Sequence, residues 1–284
     1  MKWVNIMVNG RTQAALIRGD NVHCVAETDV ANLLGDLTGA AARAGEAGLF
    51  PLAECEVLAP ILRPRKILGI GVNYAAHAKE SVTFIKTPNS NVQKWFNKQA
   101  TAAHGPYSPV DMPAVSDQLD YEAELVIIIG KTGRHVPEER ADEMIAGYAC
   151  GCDFSVRDWQ RASPTMIMGK GFDTHAPFGP WLVTPDEIDD PDALEIRGYV
   201  NGELRQHGVA SQMTFSIREQ IAHLTTAFTL EPGDVIFTGT PAGVGAGFDP
   251  PKWLKAGDRV RVEISGLGHI ENEIVAEQKN TVLT

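Results

Sequence analysis

The sequence predicts an α+β, β-rich chain built as a small N-terminal β-rich domain over residues 1–62 and a larger domain over residues 63–284. Three observations lead there. Alternating apolar and polar runs broken by Asn-Gly or Gly-Asp turns recur at both ends of the chain. A Pro/Arg stretch from Pro60 to Pro64 separates the first such group from the rest. In between, Asp120-Tyr121-Glu122-Ala123-Glu124-Leu125-Val126-Ile127-Ile128-Ile129-Gly130 is a strand apolar enough to be buried, yet it carries two carboxylates.

The elements follow in order. Residues 1 to about 27 alternate, with hairpin signals at Asn9-Gly10 and Gly19-Asp20. The Ala- and Leu-rich stretch from Asp29 to about Gly45 predicts a helix, and Glu56–Leu58 a short strand. Lys66–Ile70 is a buried strand that ends in a turn. Its Gly69-x-Gly71 invites a dinucleotide-binding reading, but the last glycine of that pattern is replaced by Tyr74, so the fingerprint fails. Ala75–Glu80 predicts a helix, with His77 and Glu80 three apart and able to hydrogen-bond. Such pairs are common on surfaces and usually inert. Residues 81 to about 118 are irregular and rich in Pro and Gly, with an aromatic patch at Trp95-Phe96-Asn97-Lys98. Composition leaves a lid and an ordered surface excursion equally open.

In the central strand, alternation sends Glu122 and Glu124 out of one face. Two adjacent carboxylates repel and lose hydration, so they need either a solvent-facing edge or a compensating cation. Hard oxygen ligands would suit magnesium, manganese or calcium. Val136 to about Ile145 predicts a helix, its first turn holding Pro137, Glu138 and Glu139. Ala149–Val156 is a second buried strand with a lone Asp153, which requires a partner. Three carboxylates from two strands could thus share one ion. Cys150-Gly151-Cys152 lacks a second Cys or His pair, and core thiols are the simpler reading.

Lys170 lies between glycines, where it could approach a ligand closely. Arg197–Val200 and Glu203–Gln206 flank an Asn201-Gly202 turn. Phe215 to about Phe228 is an amphipathic helix, and Val260–Ile264 and His269–Val275 are further strands. The Gly/Thr-rich loop from Thr238 to Gly247 can offer N–H groups and hydroxyls to a carboxylate. It lacks the Gly-Lys-Ser/Thr closure of a phosphate-binding loop.

Bulk properties narrow the class. The chain has 284 residues, 44% of them hydrophobic and 21% charged, enough for a large core. A net charge of −11 argues against nucleic-acid and anionic-membrane partners. The start lacks a signal-peptide core and no run matches a membrane span, which leads us to expect a cytoplasmic location. Four scattered cysteines make no disulfide framework. Neither a Gly-x-Ser-x-Gly elbow nor a His-Glu-x-x-His helix is present.

Seven motifs in order resemble the fumarylacetoacetate hydrolase family of metal-dependent diketo-acid enzymes, over about Lys66 to His269. They are Gly71-Val72-Asn73-Tyr74-Ala75-Ala76-His77, Asp120-Tyr121-Glu122-Ala123-Glu124-Leu125, Asp153-Phe154-Ser155-Val156-Arg157-Asp158, Lys170-Gly171-Phe172-Asp173-Thr174, Gly179-Pro180-Trp181, Asn201-Gly202-Glu203 and Gly233-Asp234-Val235-Ile236-Phe237-Thr238-Gly239-Thr240-Pro241. The resemblance implies a mixed β-roll or β-sandwich catalytic domain, a homodimer, and a Mg2+ or Mn2+ site, with Ca2+ as another candidate ion. By matching positions it implies Glu122, Glu124 and Asp153 as metal ligands, and His77, Glu80 and Lys170 as catalytic residues. Lys98, Gln160 and Thr240 would contact substrate.

Two departures, Cys152 where Asn is common and Gly171 where Ser is common, leave the ligands and the dyad intact but put the substrate in question. The implied partner is a small oxo acid. The leading expectation is hydrolysis of a carbon–carbon bond in a β-diketo acid, an acylpyruvate or a sugar-derived relative, through a metal-stabilised enolate. The alternative is decarboxylation or tautomerisation of oxaloacetate or a related 2-oxo diacid at the same site. A metal-binding relative without catalysis is a third reading, against which the intact residue set argues.

Overall fold

The computed structural model describes residues 1–81, 91–279, 281 and 283. Residues 82–90, inside the stretch for which a lid or a surface excursion was left open, lie outside the described residues.

A large mixed sheet runs through the molecule. Along its main path the strands are Gly48–Pro51, Asn21–Cys24, Arg11–Arg18, Lys2–Val8, Ala176–Val183, Ile145–Cys152, Ala123–Ile129, Val235–Phe237, Ile67–Gly71 and Lys94–Lys98. A second, five-stranded sheet is formed by Glu203–Val209, Glu195–Val200, Arg259–Ile264, Gly268–Ala276 and Val110–Met112. The β-rich class expected from the sequence is what the chain adopts.

The acidic strand sits near the middle, and all seven residues of Ala123–Ile129 are buried. Its alternation serves two cores at once. Leu125, Ile127 and Ile129 pack with Ile196, Val262 and Ile270 of the second sheet and with Ile221 and Leu224 of the helix Ile217–Ala227. Val126 and Ile128 face the other way, with Phe178, Phe237 and Trp3. Burial on both faces explains the unbroken apolar run and removes the solvent-facing edge as an account of its carboxylates.

The N-terminal strands join this same sheet. Trp3 pairs with Leu182 while Val4 pairs with Ala15 across the Asn9-Gly10 hairpin. Within residues 1–62 the buried Asn5 ties the first strand to its surroundings: its Nδ2 donates to the carbonyls of Ala59 and Pro60 and its Oδ1 accepts the Val30 N–H. The strand Lys2–Val8 thus places strands from residues 1–62 and from residues 63–284 in one sheet.

Two predicted helices are modified. The stretch from Asp29 to Gly45 divides into a 3-10 turn, Val30–Leu33, and a short helix, Leu37–Ala42, because Asp36 caps a new start by accepting the Gly39 N–H at 2.8 Å. The segment Glu138–Met144 is a 3-10 helix. Its last carbonyl, on Met144, accepts the N–H of Gly130, the residue that follows the strand Ala123–Ile129, at 2.7 Å. Among the described residues no helix is long and apolar enough to cross a membrane.

Candidate active site

Strand register builds the site. Ala123 pairs with Cys152 and Glu124 with Gly151, which brings Asp153 opposite Glu122, where its N–H donates to the Glu122 carbonyl at 2.9 Å. Because side chains alternate, Ala123, Leu125, Cys150 and Cys152 enter the core against the second sheet. Residues 122, 124 and 153 emerge on the other side. One carboxylate oxygen from each of Glu122, Glu124 and Asp153 lies within 4.8 Å of the others, and all three residues are buried. Cys152 points away from this cluster, so the departure at that position leaves the carboxylates untouched; burial pushes its thiol well up, as for a core residue.

Three cations converge on the acids. Lys170 Nζ lies 2.5 Å from both Glu122 Oε2 and Asp153 Oδ2, and Lys98 Nζ 2.5 Å from Asp153 Oδ1. Arg157 reaches Glu122 Oε1 through Nη2 at 2.7 Å and Asp120 Oδ2 through Nε at 2.8 Å. Four buried acids, Asp120, Glu122, Glu124 and Asp153, thus meet three buried bases.

The acid in excess is Glu124. It has no salt-bridge partner among the described residues, and its Oε2 accepts the Gly239 N–H at 2.7 Å. Burial, then repulsion from Asp153 and Glu122, pushes its carboxyl well above the usual carboxylate range. For Glu122 burial also acts upward, but Arg157 and Lys170 outweigh it and hold the group well below that range. Burial pushes the Lys98 ammonium down against the pull of Asp153. It acts the same way on Lys170, where Asp153 and Glu122 prevail and keep the ammonium charged.

A hard divalent cation fits this donor set: three clustered carboxylates, one of them lacking a counter-charge. Binding would have to displace the proton favoured on Glu124. Below the raised pKa, proton and metal compete, so affinity falls with pH. Mn2+ affinity is therefore expected to climb as pH rises toward the raised Glu124 value, by up to about tenfold per pH unit. Isothermal titration across that range checks it; a flat profile would mean that Glu124 is ionised before the metal arrives.

The helix Ala75–Ser81 adds the dyad. His77 Nδ1 lies 3.1 Å from Glu80 Oε2. A carboxylate only accepts, so the proton belongs on Nδ1, leaving Nε2 as the basic nitrogen. His77 lines a cavity of about 80 Å³ together with Glu122, Glu124, Gln160, Lys170 and Thr240. Gly169 lets the turn carrying Lys170 pack against the Gln160 backbone, since a Cβ there would lie 2.3 Å from the Gln160 nitrogen.

Of the expected residues, Glu80 and Asp153 are not among those lining this cavity, and neither is Lys98. Its side chain has no exposed surface, and it bonds Asp153 and the Phe154 carbonyl instead of lining the cavity. It serves Asp153 as a buried counter-ion, where the expectation was a substrate contact. Lys94, two alternations earlier on the strand Lys94–Lys98, lines the cavity instead and was missed. The i, i+2, i+4 spacing of Lys94, Phe96 and Lys98 was the available signal.

Arg157, also missed, holds Gln160 Oε1 at 3.0 Å as well as Glu122. Thr240 lines the cavity while its hydroxyl donates to the Ala123 carbonyl and accepts from Gln206. The N–H groups of the Gly-rich loop do bind carboxylates, but the chain's own: Gly239 holds Glu124, Gly243 holds Glu80 and Gly245 holds Asp120.

A protein-family model described as fumarylacetoacetate (FAA) hydrolase C-terminal matches residues 66–275. The chain belongs to this family. Among curated members it is 42% identical over 246 residues to a mitochondrial oxaloacetate tautomerase of Homo sapiens, covering 85% of this chain and 77% of the relative. It is 39% identical over 263 residues to the oxaloacetate tautomerase YisK of Bacillus subtilis, covering 91% and 87%.

Solved structures of family members superpose throughout. A fumarylacetoacetate hydrolase from Exiguobacterium antarcticum matches with a TM-score of 0.87 at 35% identity, covering 98% of this chain and 100% of that one. A maleylpyruvate hydrolase from Sphingobium sp., in complex with manganese(II) and pyruvate, matches with a TM-score of 0.81 at 31% identity and the same coverage. Diketo-acid chemistry by an enzyme of this family is thereby supported for the fold, with both isomerases and hydrolases among its likenesses.

Proposed function

We propose that the chain is a divalent-metal-dependent tautomerase of oxaloacetate-class 2-oxo diacids, interconverting their enol and keto forms. The observation that carries this reading is one histidine base, oriented by Glu80, lining the same cavity as Glu122 and Glu124, with an Asp153 carboxylate oxygen within 4.8 Å of theirs. Similarity to tautomerases named for oxaloacetate favours this reaction among those such a pairing can run.

An ion held by Glu122, Glu124 and Asp153 would supply Lewis-acid stabilisation of negative charge developing on substrate oxygen. The remaining work falls to the chain. A 2+ charge turns the one-charge excess of buried acid into a one-charge excess of buried base, which attracts a dianion despite the net charge of −11. Lys170 and Gln160 face the cavity and fix substrate oxygens. His77 Nε2 takes the proton from one substrate atom and returns it to the other, while Glu80 holds Nδ1–H and steadies the imidazolium.

Hydrolysis of an acylpyruvate is the second reading, supported by the likeness to maleylpyruvate hydrolase. It differs in needing His77 to activate a water.

The deciding assay gives metal-loaded protein enolic oxaloacetate, oxaloacetate and an acylpyruvate in parallel. Rapid loss of enol absorbance without pyruvate release is the expected result. Pyruvate release from the acylpyruvate at a higher kcat/KM would transfer the assignment to the hydrolase.

A further inference from the structure

The Gly243–Gly247 end of the Gly-rich loop grips two carboxylates that belong to different halves of the site. Gly243 N–H reaches both oxygens of Glu80, at 3.0 and 3.2 Å. Two residues later Gly245 N–H and Ala246 N–H reach Asp120 Oδ1 and Oδ2, at 2.6 and 3.0 Å. Asp120 is fully buried and is not among the residues lining the cavity, so it has no route to a substrate. It also accepts the Tyr121 N–H at 2.9 Å and Arg157 Nε at 2.8 Å. Four donors on one carboxylate leave it little freedom to turn.

Each contact leads onward. Arg157, held by Asp120, extends Nη2 to Glu122 and Nη1 to Gln160. The loop held by the same carboxylate carries Gly243, hence Glu80, and through Glu80 the Nδ1 of His77.

We infer that Asp120 is a positioning residue that sets the metal-binding and proton-transfer halves of the site together, by orienting Arg157 with one oxygen and pinning the Gly243–Gly247 loop with both. This rests on reading Glu122 as a metal ligand and His77–Glu80 as the acid–base pair.

Asparagine at 120 keeps the shape and loses the function. Its amide would turn N–H groups toward donors that now find a lone pair, so Arg157, the loop, or both let go. Outer-shell partners of this kind are worth about 10- to 100-fold in metal affinity or activity. Asp120→Asn is therefore expected to weaken Mn2+ binding, read by EPR titration, by about tenfold or more. It should also lower kcat more than it changes KM. Amide exchange should accelerate in residues 75–81 and 243–247 while the acidic strand keeps its protection.

Gly245→Ala separates the two arms. Its Cβ would lie 2.7 Å from Asp120 Oδ1 and 2.4 Å from the Lys252 carbonyl, prying the loop away while the Asp120 charge and Arg157 stay in place. This variant should speed exchange at 75–81 with Mn2+ affinity within about twofold of the parent. Parent-like Mn2+ affinity and exchange in Asp120→Asn would overturn the inference. So would undisturbed exchange at 75–81 in Gly245→Ala, which stands even if Asp120→Asn does not fold. Neither readout needs turnover, so a parent protein inactive on every 2-oxo acid would sink the functional proposal and leave this one standing.

Discussion

Glu124→Gln protein is expected to interconvert the tautomers of oxaloacetate about 1000-fold more slowly than the parent, or worse, and to melt in the metal-free state at the same temperature or higher. The two halves of this result have one cause. Glu124 is the buried acid without a counter-charge, and burial with Asp153 and Glu122 for neighbours already favours its neutral form. Glutamine keeps an oxygen for the Gly239 N–H that Glu124 Oε2 now accepts. It replaces a carboxyl whose ionisation at this buried place costs stability with a group that does not ionise. The same change deletes one of three ligands. Lewis-acid stabilisation is worth several kcal/mol at the transition state, and every 1.36 kcal/mol is tenfold in rate, so about three orders of magnitude follow.

Asp153→Asn should behave differently. Asp153 bonds both Lys98 and Lys170, and breaking buried pairs by removing one partner costs about 3–5 kcal/mol. Melting curves with and without Mn2+ on the two variants check the contrast. A Glu124→Gln protein that binds Mn2+ like the parent would remove Glu124 from the ligand set.

The second large effect is expected at His77. His77→Ala should lose about 100- to 10,000-fold in kcat, the usual reach of general acid–base catalysis, while its Mn2+ affinity stays at the parent value. The separation follows from the architecture: the proposed base comes from the helix Ala75–Ser81, and the proposed ligands from the paired strands Ala123–Ile129 and Ile145–Cys152 and the residues next to them. Glu80→Gln should cost less, because Gln can still accept at Nδ1–H and what is lost is the stabilisation of an imidazolium. Stopped-flow loss of enol absorbance together with Mn2+ titration tests both variants. Parent-like turnover by His77→Ala would remove the dyad from the mechanism.

Much of this site was legible before any coordinates. Glu122 and Glu124 announced themselves as charges on a run otherwise fit only for a core, and Asp153 as a second such anomaly. The His77–Glu80 spacing is set by the helix period. These signals are local, and seven ordered motifs gave them a family. Lys98 was legible as a residue but not in its role. Strand alternation placed it on one face with Lys94 and Phe96, yet whether that lysine met substrate or a carboxylate depended on how deep the strand lay beside Asp153. The helix expected from Val136 to Ile145 forms as the tighter 3-10 helix Glu138–Met144.

From its sequence alone this chain determined a β-rich fold, a buried acidic strand, the three carboxylates and the His–Glu pair, because period and burial are properties of neighbouring residues. Only the tertiary structure decided which carboxylate lacks a cation, that Lys98 stands behind the site and Lys94 before it, and that Asp120 ties Arg157 to the loop holding Glu80. Charge balance at a buried point is a sum over groups up to about a hundred residues apart in the chain, and that sum exists only once the strands have chosen their register.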